Sequence, residues 1–205
     1  MSKPNIDKYC ELMEEIKRRM NVIDFFLLGA GHALYEPTTL ESASLQLRKI
    51  LELIAFGSLV ANQDKYAKAY ASFATHWHAG RMLRDLEKIN PHFYPKPVIE
   101  IPLTGPGPKT KLIERNTDYL SKNDFIEAYD KCSEIAHAAN PYGSRIEYPD
   151  YKAKLPLWRT RIINLLNSHQ IQLVDQTGFY LIHMKEERDE RVHFYEFQPV
   201  ADLTP

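Results

Sequence analysis

Two side chains that can move a proton or hold a phosphate stand six positions apart late in the chain, Lys131 and His137. Histidine titrates near neutral pH without help from its surroundings. A lysine on the same helix can neutralise a phosphate as a point charge. His137 can therefore serve as an acid or base, and Lys131 can stabilise phosphate charge. Glu134 and His137 also make an E-x-x-H pair, half of a di-iron carboxylate site. The other match, Glu190 and His193, falls in a predicted loop and strand, so no metal or cofactor is expected.

Arg48 and Glu52 form a second constellation. With Glu41 they fall within about 40° on a helical wheel. Two readings stay open. One is an ion pair one turn apart on a wet face, worth a few tenths of a kcal/mol. The other sets Arg48 in a groove, where its planar fork holds a phosphate or carboxylate. A third cluster is His76-Trp77-His78. Neighbouring helical residues point about 100° apart, so the two histidines do not share one metal. His78 and Arg81 can line a pocket if the fold carries them to His137.

These residues need elements to position them. Apolar residues at helical spacing from Ile6 to Leu27 predict a helix over 5–28, ended by Gly29 and Gly31. A second helix starts at Thr38, whose hydroxyl with Glu41 makes a capping box. It is apolar around most of its circumference and belongs in the middle of a bundle. A third runs over 64–89, with Tyr66, Tyr70, Phe73 and Trp77 on one side as core; stacking on bases is their alternative use. Six prolines and two glycines between 91 and 108 predict an extended connector. Ser121 and Asp124 cap a helix that carries Phe125, Ala128, Cys132 and Ile135 inward and stops at Asn140-Pro141. A last helix spans 151–167 with Pro156 in its first turn. Three short strands follow, over 171–174, 179–184 and 191–197. The expected fold is mainly α (α+β), a multi-helix bundle followed by a small three-stranded antiparallel meander. The expected organisation is a helical bundle over 1–90, a Pro-rich connector over 91–110, and helices plus meander over 111–205 packed on the bundle as one domain.

A bundle with a histidine late in a helix, then a small polar turn, resembles the HEPN domains of bacterial toxin–antitoxin and phage-defence systems. Many of these are metal-independent RNases that act as dimers, and their signature is an arginine, four to six residues, then histidine. Lys131 stands in the arginine's place here, with five residues before His137. Lysine lacks the bidentate fork. A literal R-x4-H, Arg188 to His193, falls in the meander and is read as chance. The resemblance covers at most residues 1–140. It implies a bacterial defence or stress protein that binds RNA or a nucleotide and cleaves RNA if it is an enzyme, with Lys131, His137 and Arg48 meeting across a dimer.

The bulk numbers bound these readings. The chain has 205 residues, 26 basic and 27 acidic side chains, and a formal net charge of −1. That balance excludes a strong long-range pull toward nucleic acid or anionic membrane. No apolar run is long enough to span a bilayer. Pro4, Asp7, Glu11 and Glu14 precede any apolar stretch, so a cytoplasmic protein is expected. Cys10 and Cys132 read as reduced core thiols. No glycine-rich phosphate loop, H-E-x-x-H or G-x-S-x-G is present. The alternative to the HEPN-like reading is a non-catalytic interaction or dimerisation module. Its helices would offer a partner surface and its meander an edge for strand addition.

Overall fold

The computed structural model describes residues 3–61, 79–106, 109–138, 142, 147–172 and 178–198. Helix α1 (Lys3–Leu27) closes where Gly29 adopts φ 68°. The Gly29 and Ala30 amides there donate to Phe26 O at 3.1 Å and Phe25 O at 3.0 Å, which uses carbonyls the helix leaves free. Helix α2 (Glu36–Ala61) starts two residues before the expected cap. The Thr38–Glu41 capping box does not form. Thr38 Oγ1 instead donates back to Tyr35 O at 2.9 Å, and Glu41 accepts the Tyr148 hydroxyl at 2.8 Å.

Helix α3 (Ala79–Ile89) follows, and the Tyr66–Trp77 stripe and the His76–His78 cluster lie outside the described residues. Helix α4 (Lys122–Ile135) does begin with a capping box, in which Ser121 Oγ accepts the Asp124 amide and Asp124 accepts the Ser121 amide. Helix α5 (Tyr148–Leu166) differs from expectation at its start. Pro149 sits in the first turn, and Pro156 lies inside the helix. The helix tolerates Pro156 because both it and Lys152, four residues back, lie on the exposed side.

The sheet has five strands, where the sequence predicts three. They are β1 (Lys96–Pro102), β2 (Thr110–Glu114), β3 (Ser168–Gln172), β4 (Phe179–His183) and β5 (His193–Phe197). Their order is β2-β1-β3-β4-β5, antiparallel throughout. The Pro-rich stretch supplies β1, and β2 follows it. Pro97 stands at one of the two β1–β3 positions, Lys96↔Gln170 and Pro97↔His169, and Pro102 closes β1. Pro97 needs only its carbonyl, which accepts the Arg115 amide at 3.0 Å.

The central helix is α2, which packs on α1, α3, α4 and α5. Leu47, Ile50, Leu51 and Ile54 are its buried spine. At Gly57 an added Cβ would lie 2.9 Å from the Tyr9 ring, so the missing side chain lets α1 come close. One face of the sheet, with His169, Ile171, Tyr180 and Ile182, joins the same continuous core as the helices. Among the described residues, no helix is long and apolar enough to cross a membrane.

Candidate functional site

The seam between α2 and α4 brings together two of the residues that the sequence singles out, Arg48 and Glu52. Arg48 reaches across it from α2. Its Nε donates to Glu52 Oε1 at 3.2 Å, Nη1 to Ser133 Oγ at 3.2 Å and Nη2 to the Tyr129 hydroxyl at 3.1 Å. The guanidinium also lies 4.8 Å from the Tyr129 ring centroid, within cation–π range. Tyr129 returns a hydrogen bond to Glu52 Oε1 at 3.3 Å, and Ser133 Oγ donates to Tyr129 O at 2.9 Å. The Arg48 and Glu52 side chains keep about a quarter of their surface, 25% and 22%. Burial opposes the charge on Arg48. Glu52 and the Tyr129 oxygen more than offset it, and the pKa stays above the ordinary arginine value. Burial likewise raises the Tyr129 hydroxyl, against the pull of Arg48. The network is thus a neutral clamp between two helices, with its charge spent internally.

The clamp residues Tyr129 and Ser133 were legible and missed. Tyr129 and Ser133 are four residues apart and line one side of α4, which ends at Ile135, two residues before His137. The side chain of His137 is exposed and makes no hydrogen bond or ion pair with a described residue. Its amide donates to Glu134 O at 3.4 Å, just past the last turn. Lys131 points elsewhere. On the wheel it lies about 160° from Ser133, and its ammonium pairs with Glu134 at 3.0 Å and Asp150 at 3.9 Å. The Lys131 ammonium is thus held by carboxylates and makes no hydrogen bond to His137, which lies beyond the end of α4 at Ile135. Arg81 is exposed on α3 and makes no hydrogen bond or ion pair with Arg48, Glu52, Lys131 or His137. His78 lies outside the described residues.

The cysteines stay free. Cys132 is buried with its sulfur 3.8 Å from the Tyr151 hydroxyl, and burial pushes its thiol pKa up to about 11. Burial raises Cys10 to about 11 as well. Neither is a ready nucleophile.

Two further polar features lie on the sheet. On the face away from the helices, His183 Nδ1 meets Glu186 Oε2 at 2.9 Å and Nε2 lies 2.8 Å from Glu100 Oε1. The second contact lacks hydrogen-bond geometry. Tyr195 donates to the same Glu186 carboxylate at 3.1 Å. The hydrogen bond from His183 holds the Glu186 pKa below the usual carboxylate range. Among the described residues, no three His, Cys, Asp or Glu side chains are placed to hold a metal ion. An open cleft of about 410 Å³ lies between the loop before β1 and strand β3, lined by Tyr94, Lys96, Tyr119, Lys122, Gln170 and Phe179 among others. Its two lysines already pair with Glu114 and Glu87, at 2.9 and 2.6 Å, and the Tyr94 hydroxyl donates to Leu120 O at 2.8 Å.

Two groups of exposed apolar side chains stand out among the described residues. Phe25, Leu28, Leu34 and Tyr35 crowd the corner between α1 and α2. Ile99, Ile101, Leu103 and Ile113 form a row on one side of the β1–β2 hairpin, 39–43% exposed each. No family model, no curated protein and no solved structure matches the chain.

Proposed function

We propose that the protein is a non-catalytic protein–protein interaction module that works through the β1–β2 hairpin. One observation carries this reading. Beyond Pro97 the backbone pairing to β3 ends, although Glu100 still accepts the Ser168 hydroxyl, and the β1–β2 pair continues as a two-stranded ribbon with four partly exposed aliphatic side chains on one face. Such a ribbon is marginally stable alone, and clustered exposed apolar residues mark contact sites. The clamp at Arg48 and the ion pairs of Lys131 fit a scaffold better than a reaction centre. The test is a photo-crosslinking residue placed at Ile101, with Leu157 on α5 as the exposed control. A discrete adduct at Ile101, absent at Leu157 and lost when Ile99 and Ile113 become Asp, is expected. No adduct at Ile101 refutes the reading.

A second reading keeps the HEPN-like expectation, with RNA or a nucleotide as ligand. It draws on one feature of the seam: the terminal nitrogens of Arg48 each keep one N–H beyond those given to Ser133 and Tyr129. A phosphate would take those donors, with His137 in the residues just past α4 as the acid or base. RNA binding and cleavage by the wild type, His137→Ala and Arg48→Ala test it, with Lys131→Ala as a control expected to change nothing. Equal behaviour of the wild type and His137→Ala removes this reading.

A further inference from the structure

The occupant of the hairpin can be specified further, resting on the interaction reading above. In β2 the backbone alternates between its neighbour and the outer edge, which no described strand pairs. The Leu103 amide donates to Lys109 O at 2.8 Å and the Arg115 amide to Pro97 O at 3.0 Å. The register continues between them through Ile101↔Lys111 and Ile99↔Ile113. Odd-numbered residues of β2 therefore spend their backbone groups on β1. Those of Thr110, Leu112 and Glu114 point outward, at the edge of the five-stranded sheet. An open edge of this kind is a template for another strand.

Side chains choose the partner. Lys109 and Lys111 are exposed and have no carboxylate partner among the described residues, while Glu114 is taken by Lys96. With Arg115 at its end, the edge is positive. A second copy adding antiparallel about Leu112 would set the two Lys111 side chains diagonally across the joint on one face, where like charges repel. A strand carrying carboxylates opposite Lys109 and Lys111 meets no such penalty. An apolar residue opposite Ile113 would extend the aliphatic row begun by Ile99, and one opposite Leu112 would pack on the other face. We infer that β2 accepts an extended acidic segment of a partner protein as a sixth, antiparallel strand.

The probe is a labelled peptide, acetyl-Thr-Val-Val-Glu-Thr-Glu-amide, written to lie opposite Glu114 through Lys109. Its counterpart replaces both glutamates with lysine. Fluorescence anisotropy on the full chain should show the acidic peptide binding about tenfold or more tightly than the basic one, with the gap narrowing in salt. Leu112→Pro removes an outward N–H and spares the β1–β2 ladder, because the Leu112 amide does not face β1. It should weaken the acidic peptide by about tenfold with an unchanged circular dichroism spectrum. Lys111→Glu should weaken it comparably. Equal binding of the two peptides, no binding at about millimolar concentration, or indifference to Leu112→Pro each overturns the inference. So does a wild-type dimer that Leu112→Pro splits, since the occupant is then a second copy. If Ile101 crosslinks to a partner and the acidic peptide still fails, the interaction reading stands and the strand-addition inference alone falls.

Discussion

Acid should weaken this fold through one histidine. His169 is fully buried beneath α1. Its Nδ1 lies 2.7 Å from Leu166 O, which can only accept, so Nδ1 carries the proton. Nε2 is then the bare acceptor of the Tyr9 hydroxyl at 2.7 Å. Burial pushes the His169 pKa down to about 4, against the opposing pull of the Leu166 carbonyl. An unfolded histidine titrates near 6.5. Between those values the unfolded chain binds a proton that the folded chain refuses. Stability is therefore full above about pH 6.5, falls as pH drops through the window, and levels off below about 4. Its slope reaches about 1.4 kcal/mol per pH unit, so about 2 kcal/mol is lost between pH 6.5 and 5, and about 3 in all. Urea unfolding of wild type and His169→Asn at pH 7.5, 6 and 5 isolates this group, because carboxylate titrations cancel in the difference. Asparagine keeps a donor toward Leu166 O and does not titrate. The wild-type advantage should shrink by about 2 kcal/mol from pH 7.5 to 5. A constant advantage across that range refutes the argument.

Other outcomes follow from the same packing. Gly57→Ala gains helix propensity but drives a methyl group against the buried Tyr9 ring, so a net loss of about 1–2 kcal/mol is expected by urea titration; a gain would mean that α1 yields easily. Arg48→Met leaves the Glu52 carboxylate without its cation in a mostly buried seam, with only the Tyr129 hydroxyl still donating to it. It should cost about 2 kcal/mol, with Arg48→Met/Glu52→Gln recovering part of the loss. Unchanged stability of Arg48→Met together with lost RNA binding would favour the nucleotide reading.

Much of the helical architecture was legible, for local reasons. The spacing from Ile6 to Ile23 marks α1 because a helix shows one side at a period near 3.6. Gly29 closes α1 because it adopts positive φ cheaply. Ser121 and Asp124 cap α4 within four residues of chain. The apolar girth of α2 was enough to place it centrally.

What failed was non-local. Thr38 and Glu41 had the spacing of a capping box, but Tyr148, 107 positions away in sequence, claims the carboxylate. The prolines of 91–110 suggested a connector. Whether such a segment pairs depends on which neighbours need its amides, and β1 meets β3 at only two positions. Lys131 and His137 looked like partners along the chain, but Asp150 on α5 lies within ion-pair reach of the lysine. Residue types and periodicity thus determined the helices and most of the core. Only the tertiary structure decided that Arg48 belongs to Tyr129 and Ser133, and that the hairpin leaves an open edge. Hydrogen bonds and charges are satisfied in space, by whichever group the packing brings within about 3 Å.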